Sequence, residues 1–592
     1  MENAEVARTL SEMGDILELT GGSAFKARAY HQAARLVESL PTPVSELWRT
    51  NKLKELPGIG EHMVKHIGEL VTTGTFREYH AVARRVPPGV LEMLRLEGLG
   101  PKTVAGIWKD LGIEAMDALE NACRDGSICK LPRMGPKRAQ GIVDAITRYR
   151  ARAGRVPLSR ALPYAETLAA YLRDVRGAEK VEPCGSVRRR VETVGDLDIL
   201  VSSNNPEPVM RAFLRHPDVA KVVAEGTTRS AVRLKVGLNV DLRVVPPESW
   251  GAALHYFTGS KAHNIAIRTR AVHRGLKLSE YGVFDRKDRR LGGSTEEEVF
   301  RLVGLPFIPP ELREASGEIE AAEAGRLPTL VEEADLMGDL HVHSKASSDA
   351  HSTLHALYDE AKHLGRHYLA ITDHSRSRPL GLDAQRLRAH AAEIRQHNHD
   401  HPRGPRLLAG VEVDILANGA LDLPIEELRE LDCVVASIHS HFHDPPERMT
   451  DRVIRAMRSG VVDVIGHPTG RQLGARDAYQ LDLERIMEVA REEGVALEVN
   501  AMPDRMDLHD RHCRLAKEKG VPVVIDSDAH HASHLAGLQW GVWMARRGWL
   551  EADDVLTTRS ITRLRQHLRR HHPVHKGGPP RRPRGGLHAS HA

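Results

Sequence analysis

A chain of 592 residues is long enough for about four domains. Its 84 basic and 80 acidic residues nearly cancel to a net charge of +4, so partners must be sought in local clusters rather than in a global field. With 41% hydrophobic residues but no uninterrupted apolar stretch of membrane-spanning length, it reads as soluble with no membrane partner. The acidic opening MENAEVARTLSEMGDI lacks a secretory apolar region, and the cysteines (Cys123, Cys129, Cys184, Cys433 and Cys513) form no C-x-x-C pair. The expectation is a reduced, cytoplasmic protein. Histidine is the compositional outlier, with 34 copies concentrated after residue 340.

Near the start, SAFKARAYHQAARLVESL predicts a helix with a basic face that bears Lys26 and the aromatic Tyr30. Downstream, one turn pattern recurs in LPGIGEHMVKHI (56–67), LEGLGPKTVAGI (96–107) and LPRMGPKRAQGI (131–142). Each sets an apolar residue before a glycine-containing turn and then opens a helix. Glycine permits a left-handed backbone, and the first free N–H groups of the helix face outward, where a phosphate can bind. These segments resemble helix-hairpin-helix elements, which grip the nucleic-acid backbone without reading bases. Gly58, Gly60, Gly98 and Gly100 are the candidate DNA-binding positions. A single copy would more simply be a helical hairpin packed for stability; three copies favour binding.

Residues 185–200, GSVRRRVETVGDLDIL, are followed by a second apolar run, VGLNVDLRVV. On a strand, Asp196 and Asp198 point the same way, roughly 6 to 7 Å apart. Asp241 lies in the second run, which can pair beside the first. Three convergent carboxylates repel one another unless divalent cations sit between them, and two such cations serve in-line attack on a nucleotide. Gly185-Ser186 offers a turn and a hydroxyl for phosphate, with Arg188, Arg189 and Arg190 close behind. Alone, the Asp-x-Asp pair would be an ordinary solvated edge; its surroundings reverse that reading.

Taken together, this segment resembles the family X DNA polymerases. The resemblance implies that Asp196, Asp198 and Asp241 hold catalytic Mg2+ or Mn2+, and that Ser186 and Arg189 contact the phosphates of an incoming deoxynucleoside triphosphate. It extends into HYFTGSKAHNIAIR. There Tyr256 and Phe257 match the aromatic pair against the sugar, and Asn264 and Arg268 match residues at the nascent base pair and template. It also places Lys26 and Tyr30 in an N-terminal domain that binds the 5′-phosphate side of a DNA gap. Two positions depart from the family. Arg190 stands where glycine is common, and His66, beside Lys65, stands where animal repair members carry a Schiff-base lysine. Imidazole is no substitute for a primary amine there, which predicts weak or absent lyase activity by that route.

After residue 336, strand-like runs alternate with helical segments and end repeatedly in metal-ligand residues: LMGDLHVHS, YLAITDHS, LLAGVEVDI, CVVASIHSH, VVDVIGHP, VALEVNA and VPVVIDSDAH. This alternation predicts a parallel βα barrel whose strand ends converge on one rim. The pattern resembles the PHP (polymerase and histidinol phosphatase) domain, a seven-stranded barrel with a multinuclear metal centre. Residue by residue, the ligands it implies are His341, His343, Asp349, His374, Glu412, His439, His467, Asp528 and His530. Mixed imidazole and carboxylate ligands suit Mn2+, Zn2+ or Fe better than Mg2+ or Ca2+. Asp373, which precedes a ligand, is a candidate to orient it.

The resulting fold class is multidomain α/β and α+β. A helical N-terminal region (1–90) precedes a helical fingers-type domain (91–150), a nucleotidyltransferase palm (151–250) and a thumb (251–317). A linker (318–335), a seven-stranded TIM-like βα barrel (336–572) and a disordered basic tail (573–592) complete it. The expected function is gap-filling DNA synthesis in repair on gapped or primed DNA, by a monomer. The barrel is expected to act as a 3′ to 5′ exonuclease, and some members of the resembling group also cut at abasic sites. Two rivals remain: a phosphoesterase for small phosphorylated substrates with a regulatory polymerase-like half, and a noncatalytic DNA-gap binder.

Overall fold

The computed structural model describes residues 3–38, 44–56, 58–96, 98–132, 134–152, 154–378, 380–442 and 444–568; the basic tail expected from residue 573 lies outside them. The backbone forms two compact units. One contains the residues up to Pro328 together with Arg471–Ala478 and Pro503–Arg505, and the other contains the chain from Thr329 onward without those two segments. Among the described residues, no helix is long and apolar enough to cross a membrane.

The first unit begins with helices α1 (Asn3–Leu19), α2 (Ala24–Glu38), α3 (Glu61–Thr73), α4 (Pro101–Leu111) and α5 (Pro136–Arg152). They surround two separate apolar cores. One joins Leu10, Met13, Tyr30, Ile59, Ile67 and Phe76, and the other joins Val90, Met93, Leu99, Val104, Ile107, Ile128 and Ile146. Each core takes an apolar residue from a recurring turn, Ile59 in the first and Leu99 in the second, so the turn is anchored from inside while its glycines stay exposed.

The palm follows as a five-stranded sheet of β1 (Lys180–Pro183), β2 (Leu197–Ser202), β3 (Val219–Ala224), β4 (Arg229–Leu234) and β5 (Asn239–Val245), in spatial order β1-β2-β5-β4-β3. Only β2 and β5 pair in parallel; the other neighbours are antiparallel. Leu197, Ile199, Val240 and Leu242 are buried on the closed face, so the residues alternating with them must face the other way. Helices α6 (Trp250–Thr258) and α7 (Lys261–His273) continue the unit beyond the sheet.

The second unit is a barrel of seven parallel strands in sequential order. In chain order its elements are β6 (Gly338–Val342), α8 (Leu354–His363), β7 (Tyr368–Ile371), α9 (Ala384–Asp400), β8 (Arg406–Asp414), β9 (Cys433–Ser437), β10 (Val464–Ile465), β11 (Ala496–Asn500) and β12 (Val523–Asp526). A parallel bridge between Val342 and Ala529 brings the first and last strands together. Nearly every strand residue is buried, as expected of strands covered by helices outside and packed side chains inside. Thr353 and Asp383 cap α8 and α9 by accepting hydrogen bonds from the N–H groups of Ala356 and Arg386, at 3.1 and 2.9 Å.

Candidate active sites

In the palm, β2 and β5 are registered so that Asp198 lies directly opposite Asp241. Paired residues of parallel neighbours share a face, so both carboxylates project together, and Asp196 sits at the entrance to β2. Burial, reinforced by repulsion from Asp196 and Asp241, raises the Asp198 carboxyl to about 7. Such crowding is what a bound cation would relieve, and the all-oxygen donor set fits Mg2+ or Mn2+. Arg229 partly offsets the charge, lying 3.2 Å from Asp241 Oδ1.

The loop beneath these acids is shaped by two left-handed residues. Gly185 has φ +58°, and a Cβ there would overlap the Asp198 carboxylate, so glycine is required for the loop to close on the acid. Arg190, at the position where glycine is common, also takes a positive φ of 56°. The departure noted in the sequence thus leaves the left-handed turn in place, at the modest cost an L-residue pays there.

The three consecutive arginines of this loop do different things. Arg188 grips Glu296 with both terminal nitrogens, at 3.0 and 2.6 Å, and also donates to Thr258 Oγ1 at 2.6 Å. Glu296 is shared with the fully buried Arg313, whose guanidinium stacks over Phe300 and Phe307. Burial alone would raise the Glu296 carboxyl, but Arg313 and Arg188 bring it down to about 2. Arg189, the candidate phosphate ligand, is held by Glu314 at 3.0 Å and by the carbonyl of Thr258. Ser186 is half-buried one residue after Gly185.

Tyr256 and Phe257 meet edge to face on α6, with ring centroids 5.0 Å apart. Arg243 of β5 covers Phe257 at 5.4 Å, and Arg268 covers Tyr256 at 5.6 Å. Asn264, one turn before Arg268 on α7, donates to the carbonyl of Tyr256 at 2.7 Å. The four candidates therefore form one connected cluster.

In the helical region, Gly58 and Gly98 have φ values of +85° and +82° with open space where a Cβ would lie, so the backbone turn rather than packing requires glycine. Gly60 and Gly100 are the N-caps of α3 and α4, with no side chain capping the first N–H groups. Lys26 is exposed, 3.9 Å from Glu78. Tyr30, expected on the same open face, is only 4% exposed; its ring belongs to the first core and its hydroxyl lies 2.9 Å from His66 Nδ1. His66 also stacks on Phe76 and lies 3.3 Å from Glu78, while Lys65 beside it is exposed.

The nine barrel candidates converge at the C-terminal ends of the strands. Glu412 is central: its carboxylate oxygens lie 3.5 Å from His341, 3.7 Å from His343, 2.6 Å from His374, 3.2 Å from His439 and 3.1 Å from His467. Asp528 is 3.2 Å from His343, and Asp349 reaches His374 at 3.2 Å and His530 at 3.6 Å. Three overlapping groups, His341/His343/Asp528, His343/His374/His530 and His374/Glu412/His439, each bring their ligand atoms within 4.8 Å of one another. Shared members suit a cluster of cations better than a single ion.

Unmet hydrogen bonds point the same way. His341 Nε2, His343 Nε2, His374 Nδ1 and Glu412 Oε2 are buried and, although carboxylate oxygens approach the three ring nitrogens, none of the four makes a well-aligned hydrogen bond, which is costly unless a ligand meets them. Burial, with His530 and His374 nearby, pushes His343 down to about 4, whereas neighbouring carboxylates outweigh burial and raise His341, His374 and His530, and raise His439 to about 9. Two of the candidates, His467 at φ +27° and Asp528 at φ +51°, take left-handed backbones, a strain commonly stored where side chains must be aimed.

Residues outside the candidate set complete this centre. Glu498 accepts from His341 Nδ1 at 2.6 Å, Asp414 accepts from His439 Nδ1 at 2.9 Å, and Asn500 donates to Asp528 at 3.0 Å. A carboxylate on one ring nitrogen fixes the tautomer and turns the other lone pair inward. The signal was present in the sequence as the inward-facing acids of VEVDI and VALEVNA, which the motif match passed over. Asp373 instead accepts from Ser344, Ser347 and His390, bracing the loop after β6 rather than the ring of His374.

Comparison with known proteins identifies the family. Residues 1–76 match a helix-hairpin-helix domain, 90–148 a SAM-like helix-hairpin-helix tandem, 253–314 the DNA polymerase beta thumb and 339–502 the PHP domain. The DNA polymerase/3′-5′ exonuclease PolX of Bacillus subtilis is 36% identical over 575 residues, covering 96% of this chain and all of the relative. The chain belongs to the PHP-containing family X DNA polymerases. Its barrel alone is also similar to smaller proteins. A probable phosphatase of Caldanaerobacter subterraneus is 31% identical over 246 residues, 39% of this chain and 91% of the relative. One from Shewanella sp. strain ANA-3 is 34% identical over 211 residues, 34% of this chain and 78% of the relative. Within this family X chain, the thumb match spans Tyr256, Phe257, Asn264 and Arg268, and the PHP match spans the candidate ligands from His341 to His467.

Proposed function

We propose that this chain is a DNA-templated DNA polymerase that fills short gaps during repair, and that its barrel removes nucleotides from 3′ ends. The observation that carries the first part is the register of Asp198 with Asp241 beside Asp196, three acids poised over a glycine loop. Asp196, Asp198 and Asp241 would hold Mg2+ or Mn2+, which supply charge neutralisation for the triphosphate and acidify the primer 3′ hydroxyl. Ser186 and Arg189 hold the phosphates, Tyr256 and Phe257 lie against the sugar, and Asn264 and Arg268 face the nascent base pair and template. Gly58, Gly60, Gly98 and Gly100 shape turns whose open N–H groups take phosphates of gapped or primed DNA, and Lys26 faces the 5′-phosphate side.

In the barrel, the nine histidine and acidic side chains would hold Mn2+, Zn2+ or Fe, which acidify an attacking water and clamp the phosphodiester. Glu498 and Asp414 hold the protons of His341 and His439 on the nitrogens that face away from the cluster. The test is a gapped-DNA extension and degradation assay. Replacing Asp196 and Asp198 with Ala should lower synthesis by about a thousandfold and spare degradation. Replacing His341 and His343 with Ala should do the reverse. Synthesis that survives loss of both acids would refute the polymerase reading.

The similarity of the barrel to probable phosphatases favours one alternative substrate class, small phosphomonoesters. Release of phosphate from a small monoester, compared with release of nucleotides from 3′-labelled DNA, separates the two.

A further inference from the structure

Outside the strand-end cluster, imidazoles from two outer helices of the barrel meet. His355 lies in the first turn of α8, His397 in the last turn of α9, and His401 just beyond it. The i, i+4 spacing puts His397 and His401 on one face, where their rings stack at 4.2 Å; the His355 ring lies 5.4 Å from His401 and 6.0 Å from His397. One ring nitrogen from each falls within 4.8 Å of the other two.

The protonation pattern suits a cation. A carbonyl can only accept, so the 2.9 Å contact of His401 Nδ1 with the His397 carbonyl fixes the proton on Nδ1 and leaves Nε2 with a free lone pair. Both ring nitrogens of His397 are buried without a hydrogen bond, a cost that a bound ion would remove at one of them. Asp359, one turn after His355, places Oδ2 3.4 Å from His355 Nε2. Tyr358 forms a fixed floor: its ring packs 5.1 Å from His397 and 5.2 Å from His401, and its hydroxyl donates to the Arg403 carbonyl at 2.6 Å.

We propose that His355, His397 and His401 form a separate site for one Zn2+-class cation that fastens the start of α8 to the end of α9. Imidazole-rich ligation selects Zn2+, Ni2+ or Cu2+ over Mg2+. None of its residues belongs to the strand-end cluster, so its role is structural.

The experiment is metal counting on the full chain, stripped with chelator, reloaded with Zn2+ and dialysed. His355→Ala, at an exposed position that folding tolerates, and His397→Ala should each carry one zinc fewer per chain than the unsubstituted protein. Nuclease activity on 3′-labelled DNA should stay within about twofold, because neither residue belongs to the catalytic cluster. Co2+ loaded in place of zinc should lose a matching fraction of its visible absorption. Equal zinc content in the His355→Ala protein and the parent would overturn the proposal.

Discussion

The palm and the barrel both gather charged side chains for divalent cations, but they do so with opposite degrees of enclosure. In the palm, Asp196 is exposed, Asp198 and Asp241 are half-buried, and the brace comes from outside through Arg188, Glu296 and Arg313. In the barrel, His341, His343 and Glu412 are almost completely buried, and the histidines are oriented from within by Glu498 and Asp414. The palm is left open because nucleotide and primer must complete the ligand set there. In the barrel the fold alone gathers the candidate ligands, so cation binding depends mainly on how protein groups orient them.

The comparison can be broken most sharply at Gly185. An added Cβ meets the Asp198 carboxylate and the backbone is left-handed, so Gly185→Ala should cut gap filling by about a hundredfold or more while degradation continues. Single-turnover extension beside degradation on the same DNA reads both. If synthesis persists at the parent rate, the loop does not position the acid.

The barrel counterpart is Glu498. Glu498→Gln keeps the shape but weakens the hold on His341, and should cost about 10- to 100-fold in nuclease activity or metal affinity with synthesis unchanged. Recovery of nuclease activity at high Mn2+ would indicate that the loss lies in ion binding.

Glu296 tests the brace of the palm through stability. Its carboxyl is held at about 2 in the fold against an ordinary value of 4.5, so its stabilisation is complete above about pH 4.5 and is lost as pH falls toward 2. The shift corresponds to roughly 3 kcal/mol. Glu296→Gln should lower the melting temperature of the first unit at pH 7 and flatten its acid dependence below pH 4.5. A variant that melts with the parent across this range would remove the brace from the account.

The smallest effect is expected in the helical region. With His66 buried between Tyr30 and Glu78, borohydride treatment with an abasic-site substrate should trap no adduct at the neighbouring Lys65. An adduct there would reopen lyase chemistry by a shifted amine.

Much of this molecule was legible in one dimension. Period-two alternation around Asp196, Asp198 and Asp241 announced two strands that could pair, the glycine turns announced helix starts, and histidines at the ends of apolar runs announced a rim of candidate ligands, because each signal depends only on local backbone geometry. Tyr30 shows where that reading stops. Its place on a basic helix suggested an open face, but which side of a helix is covered depends on what packs against it, and Phe76 and His66 close over the ring.

The sequence by itself determined the identities of the acids and histidines and the strands that carry them, since side-chain direction follows from position along a strand or helix. The tertiary structure alone decided that Asp198 stands in register with Asp241, that Glu498 and Asp414 turn His341 and His439 inward, and that His355 meets His397 and His401. Those pairings join residues far apart in the chain, and their separations are fixed by strand register and helix packing, quantities that no local pattern of residues encodes.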